Sequence, residues 1–523
     1  MNRFAALLDA LLFTPSRNGK LRLMREYFAT VPDPERGWTL AALTGELVFD
    51  AAKPGQVRAL AAARVDPELL GWSFDFVGDL AETVALIWPE TPDAGGHVPG
   101  LAEIVEQLKG ASRGEVSNLL EPWLDALDPT GRWALLKLVT GSLRIGVSAR
   151  LAKTALAQWS GVEVDGIEEV WHGLAPPYQP LFGWLEGRRP APETGDLPMF
   201  CPLMLAQPLE DSDLESLNPR DYLAEWKWDG IRMQLVARGG ERRLYSRSGD
   251  EIGAAFPDLC AVMPADVTLD GELLVLRDGE VGSFNDLQQR LNRKTPNPKL
   301  LHDHPAAVRL YDILREDGED LRGLPFAERR RRLESWYARA PRPALDLSLM
   351  VSFTSWDELR ELRDGARERG IEGLMLKRAD SPYLAGRPKG PWFKWKRGAL
   401  TLDTVLMYAQ RGHGKRSSFY SDYTFGAWRE GALVPVGKAY SGFTDEELKR
   451  LDRWVRDNTI ERYGPVREVA PKLVLEIAFD SVHRSNRHKS GLAMRFPRIH
   501  RIRWDKPAAE ADRLETLLAM IEA

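Results

Sequence analysis

Apolar positions along the chain change their spacing twice, near residues 190 and 400. Up to about residue 190 they recur every three or four positions, as in residues 133–143 and 151–159, which predicts a mainly helical region. Its first segment carries Phe4, Leu7, Leu8, Leu11 and Leu12 at helical spacing, broken by Asp9. That pattern predicts an amphipathic helix rather than a secretory signal. From about 200 to 397 the pattern becomes short β-rich runs, at 231–236, 243–246, 267–269, 272–276, 308–311 and 373–376. Helical stretches at 327–337 and 355–368 interrupt them, which predicts an α+β domain on antiparallel sheets. From about 401 further strands follow at 403–408, 422–428 and 472–478, with a helical insertion near 445–458, a pattern that fits a small β-barrel. Residues 188–198 concentrate Pro, Gly and charge and read as a linker. The expected domains are therefore 1–190, 200–397 and 401–523.

Composition narrows this only a little. The 523 residues are 44% hydrophobic and 28% charged, ordinary for a globular protein and too many for one core. No uncharged apolar run approaches a bilayer span, so no membrane partner and a cytoplasmic location are expected. Two cysteines, Cys201 and Cys260, exclude a four-cysteine zinc site. The net charge of −5 does not announce a nucleic-acid partner, but charge is uneven. Between His483 and Lys506 lie Arg484, Arg487, Lys489, Arg495, Arg498, Arg501 and Arg503, opposed only by Asp505. Phe496, Ile499, Ile502 and Trp504 interleave them, a pattern suited to phosphate binding on an anchored surface.

The chemistry concentrates in Glu225-Trp226-Lys227-Trp228-Asp229-Gly230-Ile231-Arg232, where a lysine and an Asp-Gly lie between two strand-like runs. A turn there is expected to present the Lys227 amine into a cleft. Lys-x-Asp-Gly alone is weak, but an ordered set follows it: Ser246-Arg247-Ser248-Gly249, Leu269-Asp270-Gly271-Glu272, Tyr311-Asp312-Ile313-Leu314, Glu372-Gly373-Leu374-Met375-Leu376-Lys377, Trp392-Phe393-Lys394-Trp395-Lys396, and Arg495-Phe496-Pro497-Arg498 through Asp505-Lys506. Glu272 and Glu372 are hard carboxylates next to glycines, suited to Mg²⁺. Lys394 and Lys396 alternate along one strand, so their ammonium groups share a face and invite an anion between them.

This order and spacing resemble the six nucleotidyltransferase motifs of the ATP-dependent DNA ligases, in the superfamily that also holds RNA ligases and mRNA capping enzymes. The resemblance spans roughly residues 200–507. Residues 138–156 look like the helical DNA-binding domain of cellular-type ligases, and residues 488–494 resemble a bacterial subgroup. The resemblance implies a multidomain protein with an all-α DNA-binding domain, an α+β nucleotidyltransferase domain with ATP-grasp-like antiparallel sheets, and a β-barrel OB-fold domain. It implies ATP, Mg²⁺ or Mn²⁺, and nicked double-stranded DNA as partners, acting on a monomer.

Three steps are implied. A lysine takes AMP from ATP, AMP moves to a 5′-phosphate, and a 3′-hydroxyl displaces it. Lys227 is the implied nucleophile. A lysine amine of reference pKa about 10.4 is neutral about once in a thousand near neutral pH, so Arg232, Lys394, Lys396 and a metal are the groups expected to favour the free base. Glu225 falls where the adenine amino group is read and Tyr311 where an aromatic ring stacks on adenine. Arg232 and Arg247 fall at ribose and nick-phosphate positions. Glu272 and Glu372 are implied on the metal, with Glu272 alternatively on the ribose hydroxyls, and Asp229 is implied to support the lysine or metal through water. Lys394 and Lys396 are implied on the triphosphate, and Arg387 or Lys389 beside them. Arg144, Gly146, Lys415, Arg416, Arg495 and Arg498 are the implied DNA contacts. The Gly412-to-Ser417 string hints at a P-loop but has Ala409 and Arg416 where that motif needs Gly and Ser/Thr.

Two other readings compete. An RNA ligase or capping-type guanylyltransferase would share Lys227, but the long helical N-terminal region argues against both. A non-catalytic DNA-binding scaffold would have lost Lys227, Glu272, Glu372 or Lys394, and all four are present.

Overall fold

The computed structural model describes the chain apart from residues 91–96, 142, 194, 264–265, 278, 283, 292, 294, 340, 367–370, 413–419, 441, 443, 486–487 and 523. Lys415 and Arg416 thus lie outside the described residues, as does Arg487. Contacts divide the chain into two compact units. One comprises residues 1–162, 176–189 and 399–523; the other comprises 163–175 and 190–398.

In the first unit, the described residues of 1–162 and 176–189 are mainly helical, from Asn2–Phe13 to Gln179–Leu185. The amphipathic pattern holds: in Asn2–Phe13, Phe4, Leu7, Leu8 and Leu11 are buried. The next helix, Arg17–Thr30, starts at Ser16, whose hydroxyl accepts from the Gly19 amide and satisfies one free N–H of the first turn. Among the described residues no helix is long and apolar enough to cross a membrane. The C-terminal part of this unit is a curled antiparallel sheet around one core that includes Leu406, Tyr423, Phe425, Leu475 and Ile477. The strand Leu400–Arg411 makes the curl. It pairs with Val474–Phe479 over its first half and with Val466–Val469 near its end, while Tyr420–Arg429 runs along its other edge.

The second unit is built on two mainly antiparallel sheets, each with one parallel pair. Seven of its strands carry the argument: β1 (Tyr222–Trp228), β2 (Ile231–Arg238), β3 (Glu241–Ser246), β4 (Val267–Arg277), β5 (Ala306–Glu316), β6 (Ile371–Arg378) and β7 (Trp392–Lys396). In one sheet β6 lies between β7 and β1; in the other the order runs β3-β2-β4-β5. The runs 267–269 and 272–276, expected as separate, are one continuous strand. Asp270 and Gly271 pair with Asp312 and Leu310 of β5, and the irregularity is absorbed as a register shift. Alternation sets the faces. Ala224, Leu374, Leu376, Phe393 and Trp395 pack with Leu359 of the helix Trp356–Gly365, leaving the intervening residues on the opposite face. The helix Phe326–Arg339 is tied to β5 by a fully buried bidentate pair: Arg329 donates from Nε to Asp312 Oδ1 at 2.9 Å and from Nη2 to Oδ2 at 3.0 Å. Val164–Trp171, counted with the helical region in the sequence, belongs to this unit, where Glu169 accepts from Arg322 at 2.8 Å.

Candidate active site

Lys227 sits near the end of β1, in the strand rather than in a turn. The turn is Asp229-Gly230, and it does not close a hairpin: β1 and β2 lie in different sheets, so the two residues carry the chain from one sheet to the other. The passage is tight. A Cβ on Gly230 would lie 2.4 Å from the Leu273 carbonyl oxygen and 2.7 Å from Glu272 Cγ, so no larger residue fits without moving β4.

Register then assembles one polar face. Gly373 of β6 is opposite Lys227 on one side and Lys396 on the other; Met375 is likewise between Glu225 and Lys394. Opposed residues point the same way, so Glu225, Lys227, Lys394 and Lys396 share a face. Glu372 joins two of the lysines: its Oε2 is 2.5 Å from Lys227 Nζ and 3.4 Å from Lys396 Nζ. Lys394 feels the crowd. Burial pushes its amine below the ordinary value, and Arg387, Lys396, Lys227 and Arg247 push the same way. Exposed Arg387 and exposed Arg247, the latter in the turn after β3, thus act on the same lysine.

The second sheet contributes acid. Glu272 of β4 stands opposite Arg232 of β2. Burial pushes the Glu272 carboxyl up to about 8; Lys227 and Arg232 oppose the rise, while Glu372 and Asp270 add to it. A carboxyl raised by a neighbouring carboxylate, both with hard oxygen donors, suits a magnesium site completed by phosphate and water. Among the described residues no group of three or more His, Cys, Asp or Glu forms a metal cage.

Arg232, expected near the ribose, is held by protein groups in this structure. Its guanidinium donates to Asp270 at 3.0 and 2.6 Å, to the Met204 carbonyl at 2.7 Å and to the Tyr383 hydroxyl at 3.0 Å. Four of its five N–H groups are thus given to protein. Asp270 is fully buried, and Tyr383 also donates to it at 2.7 Å. Burial opposes the Arg232 charge, but Asp270 with Tyr311 and Tyr383 outweighs it. This arginine's first task is to neutralise Asp270 under the site. Tyr311 lies beside it, its ring centroid 5.8 Å from the guanidinium carbon, and burial raises its phenol well above the ordinary value.

One residue of this face was quoted in the motif string but given no role. Lys377, at the far end of β6, is 1% exposed and ion-paired with Glu225, itself 2% exposed. Its ammonium is 4.5 Å from the ring centroid of Tyr311, 4.7 Å from that of Phe326 and 4.5 Å from that of Trp392. The sequence signal was a lysine closing an otherwise apolar alternation, Gly373 to Leu376, at a position in phase with Gly373 and Met375.

The remaining expected contacts belong to the first unit. Arg144 and Gly146 lie in the loop between helices Pro129–Thr140 and Ala149–Ser160, both exposed. Lys20 holds that loop by donating to the Ile145 carbonyl at 2.7 Å and the Gly146 carbonyl at 2.9 Å. Gly146 has φ +68°, and a Cβ there would lie 2.6 Å from Lys20 Nζ, so its glycine is explained by backbone shape. Arg498 pairs with Asp480 at 3.0 Å while staying half open, and the Arg495 guanidinium lies 5.2 Å from the centroid of the exposed Phe496 ring.

The two sheets thus bring a cationic face and a pair of carboxylates together around one lysine. Comparison with known proteins gives the family. Residues 203–396 match the model of the ATP dependent DNA ligase domain, and residues 416–506 match the ATP dependent DNA ligase C terminal region. A "Probable DNA ligase" of Koribacter versatilis is 32% identical over 98% of this chain and 95% of its own length. DNA ligase 1 of Korarchaeum cryptofilum is 30% identical over 100% of this chain and 98% of its own. The solved structure of Pmar-Lig_Pre shares the fold, with a TM-score of 0.62 at 16% identity over 96% of this chain and 99% of that one. The chain belongs to the ATP-dependent DNA ligase family.

Proposed function

We propose that the protein seals nicks in duplex DNA with ATP through a covalent adenylate on Lys227. The observation that carries this reading is the shared face of β1, β6 and β7, where Lys227 and Lys396 meet Glu372 and Lys394 lies on the same face, in a chain of this family. In the first step the Lys227 Nζ lone pair attacks the α-phosphorus. An N–P bond forms, the bond to the bridging oxygen breaks, pyrophosphate leaves and the amine loses a proton. The ion pair with Glu372 must open first, because a protonated amine has no lone pair to give.

Lys394 and Lys396 neutralise the charge that accumulates on the phosphates, with exposed Arg387 and Arg247 beside them. Glu272 and Glu372 would hold Mg²⁺, which supplies further neutralisation at the α-phosphate when bound. Tyr311 stacks on the adenine, and Glu225 accepts from its amino group. In the second step a DNA 5′-phosphate oxygen attacks the same phosphorus and the N–P bond breaks, returning the amine. In the third, the 3′-hydroxyl attacks the activated 5′-phosphate and AMP departs.

The helices of residues 1–190 are proposed to grip the duplex through Arg144, with Gly146 shaping the loop. The 401–523 barrel would contribute Arg495 and Arg498, and residues 200–397 the adenylation domain. We further infer a monomeric cytoplasmic enzyme.

The test is incubation with Mg²⁺ and either α-labelled ATP or, in parallel, α-labelled GTP, then with nicked DNA. Label should attach to the protein and leave as AMP when nicks are joined. Attachment of GMP instead would indicate a capping-type activity, and no nucleotide adduct at all would overturn the reading.

A further inference from the structure

The mechanism above uses Glu225 but leaves Lys377 without a task. A lysine almost without exposed surface, ringed by three aromatic side chains, is an expensive way to fill a core: replacing a buried ion pair by apolar residues of similar volume is often neutral or stabilising. Its partner is also only half used. One Glu225 oxygen meets Lys377, while the other, Oε2, is buried with no hydrogen-bond donor among the described residues. A buried carboxylate oxygen left without a donor costs free energy unless something supplies one. Glu225 lies two residues from Lys227 on the same face of β1, so what supplies it belongs to whatever Lys227 attacks.

We propose that Lys377 is a positioning residue that sets base selectivity: it holds Glu225 as an oriented carboxylate whose second oxygen accepts from the 6-amino group of the purine. The inference rests on the reading that Glu225 faces the base of the nucleotide. An ionised carboxylate is an acceptor only. It pairs with the amino group of adenine and repels the carbonyl oxygen at the same position of a 6-oxo purine. Lys377 supplies the counter-charge that lets the group stay ionised in a buried place, and the aromatic rings fix the ammonium from three sides. Without that ammonium, Glu225 would be a buried charge with no partner, and nothing would hold its free oxygen towards the amino position. An acceptor that is not held there tells an amino group from an oxo group less well, so losing Lys377 should do more than weaken binding. It should shift preference from ATP towards inosine triphosphate.

The measurement is the single-turnover rate of covalent nucleotidyl-enzyme formation with ATP and with inosine triphosphate, taken as a ratio at subsaturating nucleotide. The native protein should favour ATP by about 100-fold or more, since a site built to accept from an amino group leaves a buried acceptor unpaired with the oxo analogue. Lys377→Met should narrow that ratio by about tenfold or more, and Lys377→Arg should restore most of it. Glu225→Gln should narrow the ratio as well. If Glu225→Gln leaves the ratio unchanged, the reading of Glu225 at the base is wrong. If Glu225→Gln narrows it while folded Lys377→Met does not, Lys377 only packs and the proposal fails. Should Lys377→Met not fold, the same change is made in the Glu225→Gln background, which has no buried charge to strand. There the ratio should remain that of Glu225→Gln alone, and a further change would overturn the idea that Lys377 acts through Glu225.

Discussion

The two sheets of the second unit face the same chemistry with opposite charge. The β1-β6-β7 sheet presents Lys227, Lys394 and Lys396, with Glu372 bridging two of them. The β2-β4-β5 sheet presents Asp270 and Glu272, and its cation, Arg232, is committed to Asp270. Both use alternation along strands, with apolar residues on the other face. They differ in what their charges are for. Lys394 is pushed down by burial and by four cations at once, an arrangement that only an anion relieves. Arg232 and Asp270 satisfy each other and need no ligand. A charge that stays frustrated marks function, while a charge already paired marks scaffold, and the sheets can be told apart on that basis.

Mutations sharpen the contrast, and the largest effect belongs to the cationic sheet. Lys227→Ala should abolish the adenylate, read as the absence of the added AMP mass, with nick binding largely kept. A heat-stable AMP adduct on that variant would remove the assignment. Lys396→Ala should come next, slowing single-turnover adenylation by roughly 10²- to 10³-fold, the cost of one preorganised cation at developing phosphate charge. Its melting temperature should hardly move, because the side chain is 44% exposed. An unchanged rate would mean that Lys396 serves only to hold Glu372.

In the other sheet the effect should appear in stability. Arg232→Ala leaves fully buried Asp270 without its bidentate partner and should cost about 3–5 kcal/mol, seen as a lower denaturant midpoint. If Arg232→Ala slows adenylation while leaving the midpoint in place, the division between a ligand-seeking sheet and a self-satisfied one breaks down.

Much of this was legible in the sequence because it is local. The change from helical to strand periodicity near residue 190 and the alternation of Lys394 and Lys396 both depend on neighbours a few positions away. What stayed hidden depends on pairing across distance. Asp270-Gly271 reads as a break between two runs, and only the register against β5 shows a continuous strand. Asp229-Gly230 reads as a turn between adjacent strands, but it crosses between sheets. Arg232 reads as a free cation until Asp270, 38 positions later, is found against it. Lys377 reads as the polar end of an apolar strand, and its burial follows from Tyr311, Phe326 and Trp392 closing over it.

The subtlest test concerns Glu272 of the second sheet, an acid that burial and two neighbouring carboxylates work against. Its carboxyl is pushed from the ordinary 4.5 up to about 8, so the folded protein holds a proton there that the unfolded chain gives up near 4.5. Stability from that proton is fully present below about 4.5 and is lost as pH rises through about 8. In metal-free protein, the melting temperature of the native chain should therefore fall between those values relative to Glu272→Gln, which cannot titrate, and the two should run parallel above the upper one. Mg²⁺ should reduce the difference at the alkaline end, because a divalent cation takes over the proton's task of neutralising the carboxylate. Parallel curves across the whole range, with and without the metal, would show that Glu272 is as self-satisfied as Asp270. The second sheet would then be scaffold throughout, and the metal would have to rest on Glu372 alone.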